Sequence, residues 1–192
     1  MGMRTADPGS ARARLLAAAN ELFYQEGVNT VGVDRVIERA GVAKASLYAT
    51  FGSKDELIRA YLEERHELRR QRMTAGLARY ATPRQRLLGV FDVLGESLAD
   101  SSYRGCAFAN ASAEARPGSP ILEVADVYRR WVRSLFTDLA RAAGINRAAN
   151  LADQLVLLYD GAGIAARMDH DSTAAARAKV VATVIIDAAL SD

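Results

Sequence analysis

The sequence predicts an all-α fold of nine helices. Three observations point there. Apolar residues recur at helical spacing from residue 10 onward, no stretch alternates apolar and polar residues as a half-buried strand does, and helix formers dominate a composition with only 4 Pro in 192 residues. With 50% hydrophobic residues, a chain of this length can bury a sizeable core.

Each element has its own start and stop. Ser10 caps a first helix whose inner face holds Leu15, Leu16, Ala19, Leu22 and Phe23, and Gly27 ends it. After the polar break Asn29-Thr30-Val31-Gly32 a short helix is expected from about Val33 to Ala40. Gly41-Val42-Ala43 then turns the chain into another, from about Lys44 to Thr50. Ser53, with Glu56 three residues on, forms a capping box for a fourth helix. That helix is apolar at Leu57, Ile58, Tyr61 and Leu62 and charged from Glu63 to Arg72, a run expected to be a solvated face that includes His66.

Thr82-Pro83 opens a fifth helix, to about Ala99, because Thr caps and Pro suits the first helical position. A sixth runs from about Cys106 to Ala115 and is broken by Arg116-Pro117-Gly118. Ser119-Pro120 starts a seventh, to about Ala143, with Tyr128, Trp131, Leu135 and Leu139 on one stripe. The last two cover about 148–169 and 173–190. The first of them lines one face with Leu151, Leu155, Leu158, Tyr159 and Ala162; the second has an apolar arc of Val180, Val181, Val184, Ile185 and Ala188, wider than one neighbour needs.

Several classes are disfavoured. Lys+Arg 25 against Asp+Glu 23 gives a net charge of +2, which hides any local basic face but announces none. The single Cys106 cannot form an intramolecular disulfide, and His66 and His170 lack ligand spacing, so neither a metal nor a cofactor is expected. The apolar run Val180 to Ile186 is too short to span a bilayer, and neither a secretory h-region nor a myristoylation signal is present. A soluble, cytoplasmic protein is expected. No phosphate loop, paired carboxylates or Ser/His/Asp set supports catalysis, so no catalytic residue is assigned.

Residues 33–51 read as a helix-turn-helix, two short helices with Gly at the bend. Val33, Val36, Ile37, Ala40, Leu47 and Phe51 would pack inward on Leu22 and Phe23. Lys44, Ser46, Tyr48 and Thr50 would then face outward, an ammonium, hydroxyls and a phenol suited to a phosphodiester. Thr30, Arg35 and Lys54 flank that edge. The alternative is a helix pair that only packs.

Residues 15–62 resemble the N-terminal DNA-binding domain of the TetR family of transcriptional regulators. The resemblance rests on the run from Gly41 to Leu57, Gly-Val-Ala-Lys-Ala-Ser-Leu-Tyr-Ala-Thr-Phe-Gly-Ser-Lys-Asp-Glu-Leu, and on Leu22-Phe23-Tyr24-Gln25-Glu26-Gly27 upstream. It implies a TetR-like nine-helix architecture: a disordered arm over 1–9, a three-helix head over 10–54, and an effector-binding and dimerisation domain over 55–192. Tyr48 matches the family's phosphate-contacting tyrosine and Lys54 its lysine at the start of the fourth helix. Lys44 and Ser46 occupy groove-facing positions. Ala49 and Thr50 stand where an aromatic and a His or Tyr are frequent, and Asp34-Arg35 where Arg-Asp is usual, which leaves Arg35 for DNA contact.

The resemblance further implies a homodimer through the last two helices, reading a palindromic operator on double-stranded DNA and released from it as a repressor by a small-molecule effector. Pocket candidates are Phe91, Tyr103, Phe108, Asn110, Tyr128, Trp131 and Tyr159, rings mixed with hydroxyl, amide and indole donors. Asp160 would orient a cationic ligand or be paired. Cys106, after Arg104-Gly105 at the start of the sixth helix, is similar to the cysteine of a branch that senses electrophiles or oxidants; the alternative is a small buried hydrophobe. A helical interaction protein without DNA sequence specificity is the remaining reading.

Overall fold

The computed structural model describes residues 9–191. Nine helices and no strand occur among them: α1 Ala11–Glu26, α2 Val33–Ala40, α3 Lys44–Phe51, α4 Lys54–Leu77, α5 Pro83–Leu98, α6 Ala107–Glu114, α7 Pro120–Ala142, α8 Ala148–Met168 and α9 Ala174–Ser191. The all-α expectation holds. The arm expected over 1–9 falls, but for Gly9, outside the described residues.

Helix starts follow local chemistry. Ser10 accepts from the Ala13 amide at 3.2 Å, and Thr82 with Gln85 forms a full capping box. The box expected at Ser53 is half made. Glu56 donates its amide to Ser53 Oγ at 3.1 Å, but its carboxylate turns outward to Arg59 at 3.3 Å.

By compactness the chain divides into two units. One holds the chain up to His66 together with Ala107–Asp126; the other holds Glu67–Cys106 and the chain from Val127 onward. The short helix α6 and the start of α7 therefore fold with α1–α3.

The first unit is built on Leu15, Ala19, Leu22 and Phe23 of α1, Val36 of α2, Leu47 of α3 and Leu57, Ile58, Tyr61 and Leu62 of α4, all buried. Phe23 and Tyr61 meet edge to face at 5.8 Å. At about 1.5–3 kcal/mol for each large side chain removed from water, this cluster is what holds two eight-residue helices that would not persist alone.

In the second unit α9 packs on α5 and α8 through small residues, Ala175, Ala178 and Ala182, with Ile186 fully buried. Lys179 bridges to Asp92 at 2.7 Å and Arg84 takes Asp187 through two nitrogens, tying α9 to α5. The α7 stripe differs from expectation. Tyr128, Val132, Phe136 and Ala140 point inward, while Trp131, Leu135 and Leu139 flank them half-buried. A stripe of 128, 131, 135 and 139 and one of 128, 132, 136 and 140 differ by a small rotation, and Phe136 wins the inner position.

The wide arc of α9 is resolved by size. Its alanines face in, and Val180, Val181 and Val184 stay exposed. On α8, Leu157, Ile164 and Met168 are exposed at helical spacing. No helix of the described residues is long and apolar enough to cross a membrane.

Candidate nucleic-acid interface and effector site

The turn between α2 and α3 is made by Gly41, left-handed at φ 62°, whose amide donates to Glu38 O while Val42 donates to Ile37 O. No side chain caps the start of α3, so its first amides are left to other acceptors. Leu47 is fully buried and locks the inner side of α3. Phe51 is half-buried beneath the Arg12 guanidinium. Lys44 and Thr50 are exposed, Ser46 is half-buried and Tyr48 is 45% exposed, with 44 and 48 on one flank of α3 and 46 and 50 on the other.

These groups are not idle. Lys44 Nζ donates to Asp34 Oδ1 at 2.8 Å, and that hydrogen bond raises the Lys44 pKa. Thr50 Oγ1 donates to Ser46 O at 2.6 Å. Arg35 is ion-paired with Glu26, and Arg39 with Glu21 at 2.7 Å. Thr30 is exposed before α2. Lys54 is half-buried at the first position of α4; burial lowers its pKa, and Asp55 and Glu114 oppose that.

A contact from α6 reaches the loop after α1. Glu114 Oε2 accepts the Asn29 amide at 2.7 Å, and Asn29 Nδ2 donates to Glu114 O at 3.0 Å. Gly27 makes room for it: a Cβ there would stand 3.0 Å from Glu114 Oε1, on a backbone with φ 94°. Asn110, exposed, and Phe108, buried edge-on to His66 at 6.2 Å, belong to this same unit.

The other pocket candidates lie in the second unit, and there the charged run of α4 departs from expectation. It is not a uniform solvated face. Within the first unit, Arg65 stacks on Tyr24 with its guanidinium carbon 3.7 Å from the ring centre. Arg69 turns inward and donates from Nη1 to Tyr159 Oη at 3.0 Å and Tyr128 Oη at 3.3 Å. The Tyr159 phenol raises the Arg69 pKa well above the ordinary guanidinium value and outweighs the lowering by burial. Burial, then Tyr159, pushes the Tyr128 phenol well up, so it stays neutral near pH 7. Cys106, half-buried, lies within electrostatic reach of both Arg69 and Tyr128. Arg104, the cation expected to act on Cys106, donates to the carbonyls of Ser101 and Tyr103.

Rings extend from this cluster. Tyr159 meets Phe136 at 6.0 Å, Phe136 meets Phe91 at 5.9 Å, and Trp131 lies 5.9 Å from Tyr128. Tyr103 donates to Gly163 O at 3.2 Å. Asp160 is taken by Arg129 at 2.7 Å, the paired alternative.

The family model for bacterial regulatory proteins of the tetR family matches residues 15–61. The structure of SCO4454, a TetR-family transcriptional regulator from Streptomyces coelicolor, superposes with a TM-score of 0.81 at 31% identity, covering 95% of each chain. This chain belongs to the TetR family of transcriptional regulators. Among relatives of this TetR-family protein, the regulator BetI of Brucella anthropi is 28% identical over 170 residues, 87% of each chain. The transcriptional activator FasR of Mycolicibacterium smegmatis is 46% identical over 52 residues, 27% of this chain and 24% of FasR.

Sequence reasoning missed Arg69 and Glu114 in this TetR-family chain. A signal existed for the first: Leu62, Arg69, Met73 and Leu77 follow one another at helical spacing on α4, so a charged residue sits at an inward position. None existed for Glu114, whose partner lies 85 residues away.

Proposed function

We propose that this regulator is a ligand-responsive repressor, a homodimer whose heads, over 10–54, hold a palindromic operator until a small molecule bound within 55–192 releases it. The observation that carries the DNA-binding part is the orientation of α3. Leu47 is locked inward, so Lys44 and Tyr48, four apart, share one flank of α3 and Ser46 and Thr50 the other, and Arg35, Thr30 and Lys54 add further polar groups to the head. The edge offers phosphate ligands more than bidentate base readers, so much of the affinity is electrostatic and steeply salt-dependent.

One such head reads too little sequence alone. The exposed apolar residues of α8 and α9, Leu157, Ile164, Met168, Val180 and Val184, form a surface suited to an identical surface on a second copy. A two-fold dimer would set its recognition helices about 34–36 Å apart, one turn of duplex. Ile164→Glu should give a monomer by sedimentation and lose operator binding by about 100-fold or more.

Effector control is supported by the Arg69–Tyr128–Tyr159 cluster. The same helix α4 carries Lys54 and Arg69, and Cys106 immediately precedes α6, whose Glu114 holds Asn29 of the head. A ligand that prefers one arrangement of α4 and α6 would shift the population of DNA-competent dimers. The test is selection of bound fragments from genomic DNA, then fluorescence anisotropy on the best palindrome. No preference over random competitor would refute the reading and favour the interaction-protein alternative.

A second reading, electrophile or oxidant sensing, is favoured by Cys106 being partly exposed beside the Arg69 charge. Modification with stoichiometric maleimide or hypochlorite, located by mass spectrometry, should weaken operator binding. A modified Cys106 with unchanged affinity removes this reading.

A further inference from the structure

The face of α3 that turns away from the core carries methyl groups where a hydrogen-bonding reader would be expected. Leu47 is fully buried, so the positions two before and two after it, Ala45 and Ala49, stand opposite it on the helix, and both are exposed. Lys44 and Tyr48 lie on one flank of that crest, Ser46 and Thr50 on the other. α3 has no Asn, Gln, Arg, Asp or Glu, so these four are its polar side chains. Two of them are already engaged within the head. Lys44 Nζ donates to Asp34 of α2 at 2.8 Å, and Thr50 Oγ1 gives its hydrogen to Ser46 O at 2.6 Å. Thr50 is left with a methyl group and acceptor lone pairs rather than a donor.

Resting on the DNA-binding reading above, we propose that Ala45 and Ala49 are specificity-determining residues, each reading the C5-methyl group of a thymine in the major groove. The interface is the one already described; the new element is which of its groups select bases.

Thymine alone among the bases carries an apolar group on its major-groove edge, and an alanine methyl is a regular partner for it. Size favours the contact. A helix with its side chains is about 10–12 Å across and the groove about 12 Å wide. A helix whose crest ends at Cβ can therefore lie close to the floor of the groove, while Lys44 and Tyr48 reach its phosphate wall. Cβ atoms four residues apart lie about 5–6 Å from each other, which at about 3.4 Å per base step sets the two thymines one or two steps apart. A cytosine in the same place would bring its amino donor against a methyl and lose a water partner, so C·G pairs are penalised there.

The test is a uracil scan of the operator fragment selected from genomic DNA, with the full-length protein. Deoxyuridine removes the methyl group and keeps the base pairing. Each thymine is replaced in turn, symmetrically in both half-sites, and affinity is followed by fluorescence anisotropy across a salt series. One or two positions per half-site should each cost about tenfold, the value for two buried methyls, with the salt slope unchanged. Replacing such a T·A pair by C·G should cost more, and 5-methylcytosine should recover part of that loss. Ala45→Gly and Ala49→Gly, shown folded by circular dichroism, should each bind the thymine and uracil duplexes equally at one of these positions. Where glycine unfolds the short helix, Ala→Ser at the same position, less costly to a helix, should narrow the difference.

Selective binding with no uracil position costing more than about twofold overturns the inference and leaves the DNA-binding reading standing. A uracil penalty that persists unchanged in the variants at both positions assigns the methyl contact to another residue and also overturns it. If no fragment is preferred over random competitor, the DNA-binding reading falls and the inference falls with it.

Discussion

The cations of the head and the cation of the α4 interior are handled in opposite ways. On the head, Lys44 holds Asp34, Arg35 holds Glu26 and Arg39 holds Glu21, each pair in contact with solvent. In the second unit Arg69 lies deep and holds only phenols. Exposed pairs contribute roughly 0–1 kcal/mol each, so a phosphate can replace the carboxylate at little cost. Arg69 has no such low-cost exchange, because the phenols that accept from it are themselves buried. The first arrangement suits a surface that must engage and release a polyanion; the second ties α4 to α7 and α8.

The largest effect expected from breaking this contrast is on stability. Arg69→Met removes a charge that its site favours and the donor that both phenols accept from, so urea unfolding should show a loss of about 1–3 kcal/mol. A gain of that size would mean that the phenols do not compensate the charge. Next comes Tyr48→Ala, which leaves the head folded because Tyr48 is exposed, and should weaken binding to all duplexes by roughly tenfold in anisotropy. A change in base preference alone would move Tyr48 from backbone to base contact.

Smaller effects sharpen the surface side of the comparison. Asp34→Asn frees Lys44, so DNA affinity should rise several-fold. The log–log salt slope should steepen by up to about 0.9, the value for one more neutralised phosphate. Arg39→Met, which breaks only an exposed pair, should change stability by less than about 1 kcal/mol in urea.

What could be read from the chain follows from how local each cause is. Ser10, Gly27, Gly41 and Thr82 mark helix ends by interactions spanning a few residues, and these fall where expected. The anchoring of α3 by Leu47 was legible for the same reason: a buried residue at the right helical position fixes which side faces out. The polar run from Glu63 to Arg72 hid its own structure, because charged residues on every side mask the inward position at 69. The stripe of α7 was displaced by a fraction of a turn, since Trp131 and Phe136 compete for one core and periodicity alone does not choose between them. The hold of Glu114 on Asn29 depends on residues 85 apart, and no local pattern announces it. The partners of the head's cations were equally hidden, since no local pattern announces that Asp34 pairs with Lys44, ten residues on.

That pairing gives the most direct test of the central claim, that Lys44 of α3 engages DNA by exchanging the Asp34 carboxylate of α2 for a phosphate. The measurement is a double-mutant cycle of Asp34→Asn and Lys44→Ala, read as affinity for the selected operator fragment across a salt series. The account predicts that Asp34→Asn strengthens binding several-fold in the wild-type background and leaves it nearly unchanged once Lys44 is absent. An equal gain in both backgrounds would show that Asp34 acts only as a negative charge on the face, and that Lys44 does not pass from carboxylate to phosphate.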